Sequence, residues 1–225
     1  MLNNKVISYL TLRKTIGILG ILLPLVLAIG TIISKGELFI ASSISKYYYT
    51  ETRNILIAIL SAVALFMFAY RGYDKKDRIA GKIAFVSALG IALFPTSPPQ
   101  TFANMCQADN NIFTIIVIIH YISSISFFLV LAYFSHCLFT RTLNNDSKNH
   151  TLQKKKRNII YKICAYIILG SLISIIIYSV FKCNLQFLHK NHFIFWLETI
   201  SLFAFGTSWL VKGKFILKDK QEATL

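Results

Sequence analysis

The chain has 225 residues, of which 55% are hydrophobic and only 15% are charged. Its mean hydropathy of +0.59 reflects more apolar surface than one soluble domain of this length can bury in its core. This composition excludes a soluble globular enzyme and indicates that lipid solvates much of the chain. The net charge of +15 is typical of nucleic-acid-binding proteins as well, but we expect no nucleic-acid partner because membrane topology explains the basic residues.

Six apolar runs separated by polar gaps predict the helices. Most of them reach the roughly 17 to 25 residues that cross about 30 Å of hydrocarbon. Unpaired backbone groups are costly in lipid, so continuous runs of this length should be helical. We therefore expect an all-α fold, a six-helix transmembrane bundle that forms a single domain over residues 1–225. The predicted helices span residues 16–34, 55–70, 79–94, 112–139, 159–181 and 193–211.

The basic residues alternate between the gaps. Of the 24 lysines and arginines, 19 lie before the first helix, around the second and fourth gaps, or after the sixth helix, and 5 lie on the other side. Basic residues in short loops close to helix ends face the cytoplasm. The pattern predicts a multi-pass protein of the cell membrane, most simply a bacterial inner membrane, with both termini cytoplasmic.

The gap after the first helix is rich in hydroxyl groups and contains three consecutive tyrosines. Tyrosine rings at a helix end suit the lipid headgroup region, which is the alternative explanation for Tyr48 and Tyr49, but it does not explain so many hydroxyl groups beside a glutamate and an arginine. Arg53 follows at the start of the second helix, where its guanidinium group could pair with Glu198 or hold a lipid phosphate. We predict that Arg53, Tyr48 and Tyr49 contribute to ligand binding.

The third helix has a face of small residues, with alanine at positions 80, 84, 88 and 92. Small residues on one face let helix backbones approach closely, which promotes association where lipid supplies no hydrophobic drive. We expect this helix to be short, central and buried by its neighbours.

Two ionisable residues lie well inside apolar runs, His120 in the fourth helix and Glu198 in the sixth. Such residues are costly in a membrane and are candidate functional sites by default. The topology places both in the outer half of the bundle, where they could meet. We predict that His120 is catalytic as a general base or metal ligand, and that Glu198 is catalytic by orienting it.

Serines near these two residues give each helix a partly polar face. Ser124 follows His120 by four positions and Ser201 follows Glu198 by three, so each pair shares a helix face. We assign Ser124 and Ser201 to ligand binding. The alternative is that such serines are small packing residues that bond to carbonyl groups of their own helix.

Cys106 and Cys183 lie in the third and fifth gaps, which the topology places outside. An extracytoplasmic compartment favours disulfides, so we predict a Cys106–Cys183 bridge, with two free thiols as the alternative. His189 and His192 with His120 and Glu198 form a conceivable zinc set on the same side. The His189 to His192 spacing alone is a weak signal, so we expect no cofactor and keep zinc as the alternative.

Several segments resemble an uncharacterised family of bacterial membrane proteins, domain of unknown function 998. They are residues 43–50 before Arg53-Asn54, residues 70–74, residues 92–96, and Glu198 ahead of residues 205–210. That family is similar to a superfamily of membrane hydrolases that includes alkaline ceramidases, which implies lipid hydrolysis. The chain departs from the superfamily pattern: it has no Ser-x3-His within a helix, no His-x3-His, and six predicted helices instead of seven. The resemblance therefore supports the fold more than the catalysis.

The favoured function is an outward-facing polar pocket within the membrane that binds or modifies a lipid. The same polar groups would also suit a path for a small solute or a proton. A transporter is expected to show internal duplication, and the two halves of the chain show no convincing repeat. A non-catalytic structural or assembly role is the third alternative.

Overall fold

The computed structural model describes residues 9–70, 72, 74–98, 113–141, 152–181, 185, 187–188 and 191–217. Throughout these segments the regular structure is helical, with no strand. The long helices are α1 (Tyr9–Lys35), α2 (Arg53–Ala69), α3 (Lys75–Leu93), α4 (Phe113–Tyr133), α5 (Leu152–Phe181) and α6 (Phe193–Lys212). A short 3-10 helix, Ser45–Tyr49, lies between α1 and α2, and α4 continues into a π-helical turn at Phe134–Leu138. The prediction of an all-α fold is confirmed.

Four helices are long and apolar enough to cross a membrane: α1, α4 with its π-helical turn, α5 and α6. Of the other two, α2 is apolar but has only 17 residues, and α3 carries five charged residues in its first eight positions. The described part of the chain is therefore an apolar helical assembly compatible with a multi-pass membrane protein.

Three helices begin several residues before the predicted boundaries, because polar first turns extend them beyond the apolar runs. In α3 the extra turn is held by a capping box. The Asp77 backbone N–H donates to Asp74 Oδ1 at 3.0 Å, and the Asp74 N–H donates to Asp77 Oδ2 at 3.3 Å. The hydrogen bond from the Asp77 backbone N–H favours the ionised carboxylate of Asp74 and holds the pKa of Asp74 below its usual value.

Glycines and alanines let the helices pack closely. A Cβ atom added at Gly17 of α1 would lie 2.8 Å from the Gly206 carbonyl oxygen of α6, and one added at Gly206 would lie 2.6 Å from the Gly17 oxygen. The two backbones therefore touch directly, as small residues allow in membrane helices. The alanine face of α3 is buried at all four positions, as predicted.

At the end of the bundle where α1, α3 and α5 begin, aromatic rings fill the core. We call this the basic end. The Trp209 ring is fully buried, and its centroid lies 5.2 Å from Tyr70, 5.4 Å from Phe134 and 5.1 Å from Phe139. Arg141 pairs with Asp74 at 2.8 Å beside this cluster. The contacts with Tyr70 and Phe139 are edge-to-face and the contact with Phe134 is tilted, and aromatic pairs at these distances stabilise beyond the area they bury.

Candidate functional site

At the opposite end of the bundle a cavity of about 510 Å³ opens between α4, α5, α6 and the segment after α1. Its volume lies in the range typical of small-ligand sites. One part of its wall is apolar, formed by Ile125, Phe128, Leu172, Ile175, Ile176, Val180, Phe193 and Ile194. The other part is polar, formed mainly by Ser42, Ser43, Ser45, Lys46, Thr96, Ser97, His120, Ser124 and Glu198. The cavity is therefore amphipathic.

Residues 41–50, which we call the serine loop, supply much of the polar wall and are anchored to the helices. The Phe195 backbone N–H donates to the Ser42 carbonyl at 3.1 Å. Tyr47 is fully buried, with its ring centroid 6.1 Å from that of Phe195, and burial raises the pKa of its phenol. The Tyr49 hydroxyl donates to the Thr96 carbonyl at 2.6 Å. These contacts fix the loop backbone against α6 and the end of α3.

His120 is 3% exposed and uses both ring nitrogens. Its Nδ1 lies 2.7 Å from the Phe94 carbonyl oxygen, and its Nε2 lies 3.1 Å from Ser45 Oγ. A carbonyl oxygen only accepts, so Nδ1 carries the proton. In the neutral ring, Nε2 then accepts a hydrogen bond from the Ser45 hydroxyl. The structure thus joins a serine of the loop to a histidine of α4 and fixes the orientation of the imidazole.

Glu198 lines the same cavity as His120. Its Oε2 accepts a hydrogen bond from the Ile44 backbone N–H at 2.5 Å. A carboxylate bonded to a backbone N–H makes a strong, charge-assisted hydrogen bond. Glu198 therefore holds the serine loop immediately before Ser45, and both ionisable residues singled out in the sequence line one cavity.

The two predicted serines occupy different positions. Ser124 lines the cavity, and its hydroxyl oxygen is buried without a hydrogen-bond partner. Ser201 is only 2% exposed and lies in the interior of α6, away from the cavity wall. Helix-internal bonding, the alternative interpretation of the serines, does occur in α5, where Ser174 Oγ donates to the Gly170 carbonyl at 2.8 Å. It does not account for Ser124.

Three other residues predicted to bind the ligand do not line the cavity: Arg53 at the start of α2, and Tyr48 and Tyr49 in the 3-10 helix. Arg53 Nη2 donates to the Tyr48 hydroxyl at 2.6 Å, and its guanidinium carbon lies 4.2 Å from the centre of the Tyr48 ring. Arg53 does not reach Glu198: no ion pair joins them in the structure, and the Glu198 carboxylate binds the loop backbone instead. Of the two alternatives for Arg53, the structure does not show the pairing with Glu198, because the exposed guanidinium group contacts Tyr48 instead; phosphate binding by Arg53 stays a prediction.

The cysteine and metal predictions fall largely beyond the described segments. Cys106, Cys183 and His189 all lie outside the described residues, so the disulfide stays a prediction. The two described cysteines, Cys137 and Cys164, are free thiols. Among the described residues no three histidines, cysteines or carboxylates approach closely enough to hold a metal ion.

Ser45 and Lys46 are among the cavity residues that the sequence did not single out. The hydroxyl-rich loop was visible as a pattern, but nothing in that pattern distinguishes Ser45 from its neighbours. Its partner His120 lies 75 positions further along the chain. Only the tertiary structure shows which of the loop serines faces the histidine.

No protein-family model, no curated protein and no solved structure matches this chain.

Proposed function

We propose that this protein spans the membrane with all six helices, with both termini cytoplasmic, and binds a membrane lipid in the cavity. The amphipathic lining carries the proposal. Isoleucine, leucine and phenylalanine side chains would take an acyl chain, and the serine loop with His120 and Glu198 would face the polar part of the same molecule. A small polar solute would gain nothing from so large an apolar wall.

Lateral access supports a lipid ligand. Ile176 and Val180, which line the cavity on α5, are 43% and 71% exposed. In the membrane, the surface on which they lie would be covered by acyl chains. A lipid tail would therefore enter between helices without crossing water. The predicted resemblance to membrane lipid hydrolases agrees with this ligand class.

Lys46 supplies a cationic group in the polar wall. Its Nζ donates to the Pro98 carbonyl at 2.8 Å, so the ammonium group lies between the serine loop and the segment that follows α3. An ammonium group binds phosphate as a point charge. We therefore expect the ligand to be a phospholipid, with its phosphate towards Lys46 and its chains along α5.

Lipid binding is tested by filling the cavity. The variant Ile176→Trp places an indole in the apolar wall, whereas Ile177→Trp, one position along α5, adds the same group to a side chain that is 52% exposed and does not line the cavity. The probe is fluorescent phosphatidylglycerol added to purified protein in detergent. We expect Ile176→Trp to weaken binding by about tenfold or more, which corresponds to about 1.4 kcal/mol.

Ile177→Trp controls for the added aromatic surface and should bind as the unmodified protein does. Equal binding by all three proteins, or no saturable binding by any, would refute the proposed function.

A further inference from the structure

The Ser45–His120 pair has the arrangement of an activated nucleophile. A hydroxyl lies within hydrogen-bond reach of a base, and a third group orients that base. Here Ser45 Oγ is the hydroxyl, His120 Nε2 at 3.1 Å is the base, and the Phe94 carbonyl at 2.7 Å from Nδ1 is the orienting group. We propose that Ser45 is a catalytic nucleophile that accepts the acyl group of a phospholipid carboxylic ester. This inference rests on the proposed lipid binding.

The orientation of the imidazole makes the proton transfer possible. Since Nδ1 donates to a carbonyl oxygen, the lone pair of the neutral ring is on Nε2 and points at the Ser45 hydroxyl. His120 therefore removes the serine proton as a general base. When it becomes doubly protonated, the Phe94 carbonyl still accepts from Nδ1 and helps to stabilise the cation.

The reaction balances with water as the second substrate. Ser45 Oγ attacks the ester carbonyl carbon while its proton moves to His120 Nε2. The carbon–oxygen bond to the glycerol breaks, and the leaving alkoxide takes that proton and departs as an alcohol. A water molecule then attacks the acyl-serine, gives one proton to His120, and releases the fatty acid. The proton returns to Ser45, so ester and water become acid and alcohol.

Ser124 is placed to assist the carbonyl oxygen. Ser124 lines the same cavity as Ser45, and its hydroxyl oxygen is buried without a hydrogen-bond partner. A buried polar atom without a partner calls for an explanation, and a ligand group is one. We assign the Ser124 hydroxyl as a donor to the ester oxygen, which gains negative charge as Ser45 attacks.

Glu198 acts through the backbone. By accepting from the Ile44 N–H, it fixes the residue that precedes Ser45. It is thus a positioning residue for the nucleophile. Lys46, which follows Ser45, lies on the phosphate side of the proposed lipid.

The test uses the full chain reconstituted in vesicles of phosphatidylethanolamine and phosphatidylglycerol. A long-chain alkyl fluorophosphonate, which reacts with activated serines, should add covalently to the protein, and peptide mass spectrometry should locate the adduct at Ser45. Incubation without the inhibitor should release fatty acid and lysophospholipid. Ser45→Ala should abolish the adduct, and Ser45→Ala and His120→Gln should each lower fatty-acid release by about 100-fold or more.

Ser174→Ala is the control, because Ser174 binds its own helix and does not line the cavity. Fluorescent phosphatidylglycerol binding is measured on each protein in parallel. Two results would overturn the role of Ser45 as the nucleophile but not the proposal of lipid binding: saturable binding without an adduct at Ser45, or hydrolysis that persists in Ser45→Ala. Absence of both binding and adduct would overturn the proposed function together with this inference.

Discussion

The two ends of the bundle are built differently. The basic end is filled by aromatic rings around Trp209. Arg13 and Lys212 lie on rings of this cluster, and Arg141 pairs with Asp74. The serine-loop end encloses a cavity of about 510 Å³ with His120 and Glu198 on its wall. Dense packing stabilises a fold, whereas space lined by convergent polar groups is what a ligand requires. We infer that the basic end maintains the structure and the serine-loop end performs the function.

The largest expected loss of stability comes from removing the Trp209 ring at the basic end. Trp209→Ala should lower the free energy of unfolding by about 3–5 kcal/mol, because the surrounding rings cannot collapse into the space left behind. The readout is the thermal unfolding midpoint in detergent. A matched Trp209→Phe variant, which keeps an aromatic ring, should lose much less stability. If Trp209→Ala unfolds at the same temperature as the unmodified protein, the basic end is not the structural core.

A smaller loss of stability should follow from a substitution that pushes α1 and α6 apart. Gly206→Ala puts a methyl group against the Gly17 carbonyl, and overpacking of this kind costs about 1–3 kcal/mol. The control is Gly170→Ala on α5, where an added Cβ meets nothing within 4 Å. We expect a lower unfolding midpoint for Gly206→Ala and an unchanged or higher one for Gly170→Ala. The reverse order would contradict the direct backbone contact.

The smallest effect should be local to the serine loop. Glu198→Ala leaves the Ile44 N–H without its acceptor, at a cost of about 1 kcal/mol, because water entering the cavity can partly replace the carboxylate. Hydrogen exchange at residues 44–49 should accelerate, with little change in the unfolding midpoint. Glu198→Gln keeps an accepting oxygen and should preserve the protection. Equal exchange in both variants would show that Glu198 does not hold the loop.

The helices could be predicted well from the sequence, and the site only in part. Apolar runs reveal helices because hydrophobicity is a local property, but they miss polar first turns such as that of α3. His120 and Glu198 could be found because an ionisable group within an apolar run is costly by itself. Ser45 could not be found, since its role depends on a contact with His120 across 75 residues. The contact between Arg53 and Tyr48 was not expected from the sequence, which offered Glu198 or a lipid phosphate as the partner of Arg53.

The central claim, that the serine-loop end holds a lipid, is tested most directly by an experimental structure in nanodiscs of phosphatidylethanolamine and phosphatidylglycerol. We predict continuous lipid density in the cavity, with an acyl chain along Ile176 and Val180 and the polar group beside Ser45 and Lys46. A cavity that is empty or filled only with water, or one closed by side chains while lipid binds only at the basic end, would contradict the account.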